Sequence, residues 1–394
     1  MVYFDHAATT PMLPEAVAAM TRELGHVGNA SSLHASGRRA RRVVEESREA
    51  VASAFGARPS EVVFTASGTE ADNLAVKGLF WSRRAADPRR RRVVVSAIEH
   101  HALLEPVLWL AAHEDAEVVE LGVDSLGRVD PAELEAVLDE DPQGVALVSV
   151  MWANNEIGTV QPVSALAAIT SAHDIPFHTD AVQAAGQLPI DFAGVGATAL
   201  TLSGHKFGGP PAVGVLLLSR EASPVPVLHG GGQEREVRSG TLDVPGVAAM
   251  AAAAAAVAAD LPERQRHLAQ VRDDVVARVP EVAPDAVLNG DPLLEPEHRL
   301  PANAHYSFPG CEGDDLLMLL DAQGIECSTG SACSAGVAQP SHVLLALGAD
   351  TDVARSSLRF SVGLTSTKSD VDALVEALPA ALLRAREARG RARS

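Results

Sequence analysis

Short apolar runs alternate with stretches of helical period through the first half of the chain. Seven runs rich in β-branched and other apolar residues predict strands, at residues 61–65, 92–96, 116–121, 145–150, 176–180, 197–203 and 213–219. Between several of them, apolar positions recur with helical spacing, at residues 70–84, 103–113, 131–138 and 163–173. Because the strands are apolar throughout, this alternation predicts an α/β fold with a mostly parallel seven-stranded sheet covered by helices.

The pattern changes in the second half of the chain. Residues 247–279 are rich in alanine and predict one long helix, in which Pro262 predicts a kink or a break. The pattern then predicts a strand at 303–308, a helix at 314–323, a strand at 357–362 and a helix at 370–386. We therefore expect a large domain over residues 15–260 and a smaller α+β domain formed by residues 1–14 and 261–394. The arginines from Arg384 onward are expected to form a solvated helix end, with a contact to RNA or to a partner protein as the alternative.

Composition narrows the class of protein. The 394 residues carry a formal net charge of −19, which argues against a nucleic-acid-binding body and against DNA as a partner. Three cysteines cannot form a disulfide framework, and the N-terminus has neither the basic nor the apolar region of a signal peptide. The longest apolar run, residues 244–259, is short and mostly alanine, which argues against a membrane span. We expect a cytoplasmic protein with no membrane partner.

Lysine is rare in this chain. Lys77, Lys206 and Lys368 are the only lysines among 32 basic residues, and the other 29 are arginine. Lysine can lose its proton and arginine cannot, so a lysine in an unusual setting suggests chemistry. Lys206 follows an apolar run and has small residues around it. It is either a surface lysine in a turn or a residue that forms a Schiff base.

Two further motifs lie where predicted strands end. Residues 65–70 (Thr-Ala-Ser-Gly-Thr-Glu) can present backbone amides to a phosphate, or form an ordinary N-cap at Ser67 or Thr69. Asp180 lies at the edge where α/β sheets bind ligands, and is either a cap or a partner for a ligand cation. A phosphate cradle, a strand-end aspartate and a loop lysine are together what pyridoxal 5′-phosphate (PLP) requires. The sequence therefore predicts a PLP site.

His100 and Arg359 are candidates for roles beside such a cofactor. His100 could stack on a planar ring. With His101 it could also bind a metal, but adjacent histidines point to different sides and no further ligand has suitable spacing. Arg359 lies within an apolar strand and needs an anion there, either a structural partner or a substrate carboxylate.

The cysteines near the C-terminus differ in their neighbours. Cys333 lies among small and polar residues in the stretch 328–336 and is predicted to be reactive. Cys327 ends a short β run and is predicted to be a packed residue. A zinc site built from these two cysteines would lack a second pair of ligands.

Several segments match the signatures of one family. They are residues 4–11 (Phe-Asp-His-Ala-Ala-Thr-Thr-Pro), 28–32 (Gly-Asn-Ala-Ser-Ser), 154–158 (Asn-Asn-Glu-Ile-Gly), 203–206 (Ser-Gly-His-Lys), 229–235 running into 238–241, and 331–333 (Ser-Ala-Cys). The set resembles the cysteine desulfurases of the IscS/NifS type, class V of the PLP-dependent fold type I enzymes. The resemblance covers nearly the whole chain, and the composition rich in Arg and Ala suits the actinobacterial members.

The resemblance implies an activity and a set of site residues. The activity is conversion of L-cysteine to L-alanine, with sulfur left on Cys333 as a persulfide for acceptor or scaffold proteins. Iron–sulfur cluster assembly, tRNA thiolation and cofactor thiolation all remain open as destinations. The implied residues are Lys206 to hold PLP; Gly68, Thr69, Ser203 and His205 for its phosphate; His100 to stack on the ring; Asp180 for the pyridinium; Gln183 for the ring oxygen; and Asn155 and Arg359 for the substrate carboxylate region. His100 is also a catalytic candidate, since either it or the substrate thiol could take part in forming the Cys333 thiolate.

The resemblance also implies a homodimer, because Thr241 would reach the phosphate of the neighbouring subunit. Two other functions remain to be tested. One is a selenocysteine lyase or another fold type I enzyme such as an aminotransferase, against which the Ser-Ala-Cys motif argues. The other is a non-catalytic sulfur-relay interaction protein, against which the presence of Lys206, Asp180 and Cys333 together argues.

Overall fold

The computed structural model describes residues 1–330 and 339–393. The described residues form twelve strands in three sheets. The strands are β1 (Val2–Tyr3), β2 (Val62–Thr65), β3 (Arg92–Ser96), β4 (Glu117–Leu121), β5 (Val145–Ser149), β6 (Phe177–Asp180), β7 (Ala199–Ser203), β8 (Gly214–Leu218), β9 (Val287–Leu288), β10 (Asn303–Ser307), β11 (Ile325–Glu326) and β12 (Ser357–Ser361).

Twelve α-helices lie in the same described ranges. They are α1 (Pro14–Leu24), α2 (Ala35–Ala54), α3 (Gly68–Ala86), α4 (His101–His113), α5 (Pro131–Glu140), α6 (Val163–Ala172), α7 (Phe192–Val195), α8 (Val244–Val282), α9 (Gly313–Asp321), α10 (His342–Ala346), α11 (Thr351–Arg355) and α12 (Lys368–Arg393). Two short 3₁₀ turns, Pro59–Glu61 and Gly204–Lys206, precede β2 and follow β7.

The central sheet has seven strands in the order β2-β8-β7-β6-β5-β3-β4. Strands β7, β6, β5, β3 and β4 are parallel, while β8 is antiparallel to both β7 and β2. All residues of β5, β7 and β8 are buried, as expected for strands covered on both faces. The predicted mostly parallel seven-stranded sheet is confirmed, and each strand lies at a predicted run.

Alternate residues of the central strands enter two apolar cores. Val94 faces the core that contains residues of α2, α6 and the first half of α8, whereas Val93 and Val95 face the core formed with α3 and α4. This alternation follows from the period of two residues along a strand. The helices therefore form layers on both faces of the sheet, and the carboxyl ends of the parallel strands meet at one edge.

Helix α8 joins this sheet to a second core. The predicted interruption is present, because Asp260 has non-helical dihedral angles (φ −130°, ψ 19°) two residues before Pro262. A proline within a helix lacks the N–H donor and clashes with the preceding turn, which explains the kink. By length and composition α8 could cross a membrane, but 56% of its most apolar stretch is buried inside the protein. Its composition is explained by packing in the core.

The second core surrounds the three-stranded antiparallel sheet β12-β10-β9. Residues of α9, α12 and the second half of α8 pack there, together with Phe4 from the N-terminus. Strand β1 pairs in parallel with β11, which ties the N-terminus to this part of the molecule. The predicted order strand, helix, strand, helix is found at β10, α9, β12 and α12. The domain boundary at residue 260 stays a prediction.

Several elements were not predicted from the sequence. They are the short elements β1, β9, α7, α10 and α11 and the longer helices α1 and α2. Buried positions Ala40, Val44, Ser47 and Val51 of α2 nevertheless have helical spacing. The expectation of a solvated C-terminal helix end was wrong at Arg389, which is 9% exposed and forms ion pairs with the carboxylates of α11 and of the residue before α9. Its guanidinium is covered and pairs with two carboxylates whose own side chains are 37% and 59% exposed.

Candidate active site

A cavity of about 240 Å³ lies at the carboxyl edge of the central sheet, between β6, β7 and the start of α3. All of the predicted cofactor-binding residues except Thr241 line it: Gly68, Thr69, His100, Asn155, Asp180, Gln183, Ser203, His205 and Lys206. Parallel strands end at the same edge of a sheet, so motifs far apart in sequence converge there. The remaining lining residues are Ser67, Asp72, Ala102, Met151, Ala153 and Val182.

Lys206 ends the 3₁₀ turn that follows β7 and is half-buried. Its Nζ donates to the carbonyl oxygens of Ala7 (2.7 Å) and Ala8 (2.9 Å). Burial, and then the positive charge of Arg359, lower the pKa of Lys206 to about 8. The amine is therefore held by neutral carbonyls, with no carboxylate of the described residues hydrogen-bonded to it, and can lose its proton near neutral pH.

Asp180 is the last residue of β6 and is 6% exposed. Its Oδ1 accepts a hydrogen bond from the Val182 amide at 2.8 Å, so it caps the following turn and lines the cavity at the same time. Burial raises the pKa of Asp180 to about 6, although the Val182 amide and Lys206 both act to lower it. A cation beside this carboxylate would stabilise its charged form.

Three buried residues near Asp180, namely Asp72, Glu99 and His178, were not assigned roles from the sequence. Asp72 is 1% exposed, and burial together with Asp180 raises its pKa well above the usual range. Its Oδ1 lies 3.7 Å from Nε2 of the buried His178. Burial, and secondarily Asp180, also raise the pKa of Glu99 to about 8. The available signal for Asp72 was a carboxylate on the apolar face of the helical stretch 70–84.

The start of α3 forms one end of the cavity. Ser67 is the N-cap, and its Oγ accepts from the amide of Glu70 at 3.0 Å. A Cβ added to Gly68 would lie 3.1 Å from Val182 Cγ2 and 3.2 Å from Ser203 Cβ. Glycine thus lets the helix begin close against the strand ends. The amides of the first turn have no partner inside a helix and suit an anion.

His100 is the N-cap of α4, since its Nδ1 accepts from the Ala102 amide at 3.1 Å. Burial and the charge of Lys206 lower the pKa of His100 to about 4, so its ring is neutral and Nε2 remains available to the cavity. Burial, and then Lys206, also lower the pKa of His205 to about 4. Within residues 1–330 and 339–393, no group of three or more His, Cys, Asp or Glu side chains could hold a metal ion.

Arg359 is not among the residues that line the cavity. It is 4% exposed, its Nη2 donates to Asp5 Oδ1 at 2.8 Å, and its Nη1 donates to the Asn155 carbonyl at 2.9 Å. Of the two partners considered for it, the structure thus contains a structural one, Asp5. Thr241 is exposed and lies outside the cavity, before α8. Its predicted contact with a neighbouring subunit stays a prediction.

The structure describes only one of the two candidate cysteines. Cys333 lies outside the described residues. Cys327 packs against the second core, as predicted, and burial, with a smaller contribution from Asp5, raises its pKa to about 12. A thiol with this pKa stays protonated at neutral pH and is a poor nucleophile.

The cavity fits PLP on the chemistry of its residues. Lys206 supplies an amine that can become neutral, Asp180 suits a protonated ring nitrogen, and the first turn of α3 suits a phosphate. Among the described residues, Asp72 Oδ1 is buried without a hydrogen-bond partner, and burial raises the pKa of the neighbouring Asp180. A pyridinium beside Asp180 would stabilise the charged form of its carboxylate.

Comparisons with known proteins agree with this arrangement. The family model "Aminotransferase class-V" matches residues 2–374. The chain is 55% identical over 390 residues to an IscS-like cysteine desulfurase of Mycobacterium tuberculosis, with 98% of each chain covered. Among solved structures it is similar to a NifS-like protein (33% identity, TM-score 0.88, 97% and 99% of the two chains). It is also similar to SspA in complex with cysteine (29% identity, TM-score 0.79, 93% and 100% covered).

Proposed function

The chain belongs to the aminotransferase class-V family and is a PLP-dependent cysteine desulfurase, and we propose that Lys206 holds its cofactor and Cys333 receives the sulfur of L-cysteine. One observation carries the assignment of residues. Lys206, Asp180 and the start of α3 come from three separate segments and line a single cavity. Sulfur removal by this chemistry requires these three groups together.

Each cavity residue has a defined task in this proposal. When bound, PLP supplies an electron sink for the charge that develops at the substrate Cα. Asp180 would accept a hydrogen bond from the protonated ring nitrogen, and the amides of Gly68 and Thr69 would hold the phosphate with Ser203 and His205. His100 would lie against the cofactor ring, and Gln183 would contact the ring oxygen.

Lys206 and Arg359 act on the substrate. The Lys206 amine would take the proton from the Cα of L-cysteine, and its pKa of about 8 suits a base at neutral pH. Arg359 binds the substrate carboxylate with Asn155. It would exchange Asp5 for the substrate to do so, which keeps the guanidinium paired throughout.

Sulfur transfer then involves Cys333. Its thiolate attacks the sulfur of the substrate, an S–S bond forms, and the carbon–sulfur bond breaks. The electron pair of that bond stays with the carbon skeleton, which takes up one proton at Cβ, regains one at Cα and leaves as L-alanine. Cys333 keeps the sulfur as a persulfide, so atoms and electrons balance without an outside oxidant.

We further propose that the protein acts in the cytoplasm as a homodimer and passes the persulfide to an acceptor or scaffold protein. Two of its relatives, from Dictyoglomus turgidum and Methanosarcina thermophila, carry the name cysteine desulfurase IscS. This supports iron–sulfur cluster assembly as one destination of the sulfur.

The test is product identification with the PLP-loaded protein. L-Cysteine with a thiol reductant should yield equal amounts of L-alanine and sulfide. L-Alanine from selenocysteine but not from cysteine would instead indicate a selenocysteine lyase. Absence of L-alanine with both substrates would contradict the proposal.

A further inference from the structure

Glu156 is a buried acid in the turn after β5, and it is not among the residues that line the cavity. Glu156 is 2% exposed, and its neighbour Asn155 lines the cavity. The Asn154 side chain holds this turn, because its Oδ1 accepts from the amides of Glu156 (2.9 Å) and Ile157 (3.0 Å). The side chain of Asn303 donates to the Glu156 carbonyl at 2.9 Å. The backbone of Glu156 is thus held on both sides.

The carboxylate of Glu156 contacts the chain shortly after residue 338. Ser341 Oγ donates to Glu156 Oε2 at 2.5 Å, and Ser341 is 1% exposed. Ser341 Oγ also accepts a hydrogen bond from the Leu344 amide at 3.1 Å, because Ser341 is the N-cap of α10. Val343 and Leu344 pack in one apolar cluster with Ile157. The helix that follows the stretch 331–338 is therefore fixed to the turn that carries Asn155.

Glu156 also lies near the chain shortly before residue 331. Gly330 has a φ of +83°, and a Cβ at this position would lie 3.5 Å from Glu156 Cγ and 3.0 Å from His305 Nε2. Glycine is favoured here by the positive φ and by the nearness of His305. The Glu156 side chain thus bonds the downstream end of the stretch that holds Cys333 and lies beside its upstream end.

The upstream end has a second attachment, to the strand that carries Arg359. The Ser328 amide donates to the Arg359 carbonyl at 3.2 Å, and the Arg359 amide donates to the Ser328 carbonyl at 2.6 Å. Arg359 in turn donates to the Asn155 carbonyl. Both ends of the stretch are thereby tied to the turn at Asn155, directly through Glu156 and indirectly through Arg359.

We propose that Glu156, through its hydrogen bond with Ser341, is a positioning residue for sulfur transfer. It sets where the stretch that holds Cys333 leaves and rejoins the fold relative to Asn155, which faces the substrate. Transfer between two sulfur atoms depends on their alignment within a fraction of an ångström. This inference rests on the proposed function, since it needs Cys333 as the acceptor.

The experiment measures two steps separately in PLP-loaded protein. The change in cofactor absorbance on adding L-cysteine reports substrate binding in the cavity. The rate at which persulfide appears on Cys333 in one turnover, followed by mass spectrometry, reports transfer. Ser341→Ala should slow persulfide formation about tenfold and leave the absorbance change intact.

Two conservative variants and one control separate positioning from folding. Ser341→Thr keeps the hydroxyl and should transfer sulfur at close to the wild-type rate. Glu156→Gln keeps an acceptor oxygen without the charge and should fall between wild type and Ser341→Ala. Asp350→Ala removes the N-cap of α11, a helix as short as α10 whose cap Oδ1 accepts from the Val353 amide at 2.8 Å. It should leave both measurements unchanged.

The outcomes distinguish the two levels of the account. Wild-type protein without persulfide on Cys333 would contradict the proposed function itself. If wild type forms the persulfide, and Ser341→Ala and Glu156→Gln both form it at the wild-type rate, the positioning role alone is overturned. An equal slowing in Asp350→Ala would overturn it too, because loss of any nearby helix cap would then suffice. If Ser341→Ala also loses the absorbance change, the rates of persulfide formation in wild type, Ser341→Thr and Glu156→Gln provide the test. A clearly slower rate in Glu156→Gln alone supports the positioning role, and equal rates in all three overturn it.

Discussion

The cofactor side and the acceptor side of the site are built differently. Lys206, Asp180 and the start of α3 all lie at the carboxyl edge of one sheet, where strands β7, β6 and β2 end. On the acceptor side, Arg359 pairs with Asp5, 354 residues away in sequence, and Ser341 bonds Glu156, 185 residues away. The groups proposed to hold PLP thus lie at one sheet edge, with Lys206 also bonded to the N-terminal segment at Ala7 and Ala8. The groups proposed to bind the substrate and receive its sulfur depend on contacts between distant segments alone.

The largest effect is expected on the cofactor side, from Lys206→Ala. Without its amine the protein should lose covalent PLP completely, because no other cavity residue can take its place. Absorbance of the purified protein and borohydride reduction followed by mass spectrometry measure this.

Lys77→Ala is the matched control for Lys206. Burial lowers the pKa of Lys77 as well, but its Nζ lies 4.3 Å from the centre of the Trp109 ring, away from the cavity. This variant should keep PLP. A borohydride-reducible adduct that persists in Lys206→Ala would show that another lysine carries the cofactor.

Asp180→Asn should reduce turnover about a hundredfold while PLP stays bound. An amide cannot stabilise a protonated ring nitrogen as a carboxylate does, and a loss of about two pKa units there corresponds to about 2.7 kcal/mol. Single-turnover absorbance should show substrate bound but processed slowly.

Asp72→Asn is the comparison for this effect. Burial and the charge of Asp180 raise the pKa of Asp72 and so favour its neutral form, and an amide should therefore replace it with a smaller loss. If Asp180→Asn turns over at close to the wild-type rate, Asp180 serves only as the cap of the turn at Val182.

The same contrast between the two sides explains what could be predicted from the sequence. The seven strands and the residues at their ends were predictable, because apolar runs, small-residue turns and a rare lysine are local signals. Asp72, Glu99 and His178 received no role, since their burial depends on how helices pack on the sheet. The partner of Arg359 was left open, as Asp5 reaches it only in the folded chain.

Thr241→Ala should weaken PLP binding about tenfold without loss of the fold, since Thr241 is exposed and is predicted to complete the phosphate site of a second subunit. Titration of the apo protein with PLP measures the affinity, and light scattering measures the mass of the active species. A PLP-loaded, active monomer would contradict this prediction.

The smallest expected effect comes from Arg359 on the acceptor side, whose positive charge lowers the pKa of Lys206 on the cofactor side. The neutral amine of Lys206 captures PLP, and its pKa is lowered to about 8 by burial and by Arg359. The capture rate should therefore rise with pH, with a midpoint near 8, and level off above it. Arg359→Gln removes one cause of the lowering, so the midpoint should move to higher pH and capture at pH 7 should slow severalfold. A capture rate that does not vary between about pH 7 and 9 would show that another step limits it.

The most direct test of the account is a mass spectrum of the PLP-loaded protein after incubation with L-cysteine. We predict that the protein gains the mass of one sulfur atom on the peptide that contains Cys333, in equal amount to the L-alanine formed. Cys333→Ser should gain none, whereas Cys327→Ser should behave as wild type, because burial keeps the Cys327 thiol protonated. Sulfur on Cys327, or L-alanine formation that survives Cys333→Ser unchanged, would contradict the account.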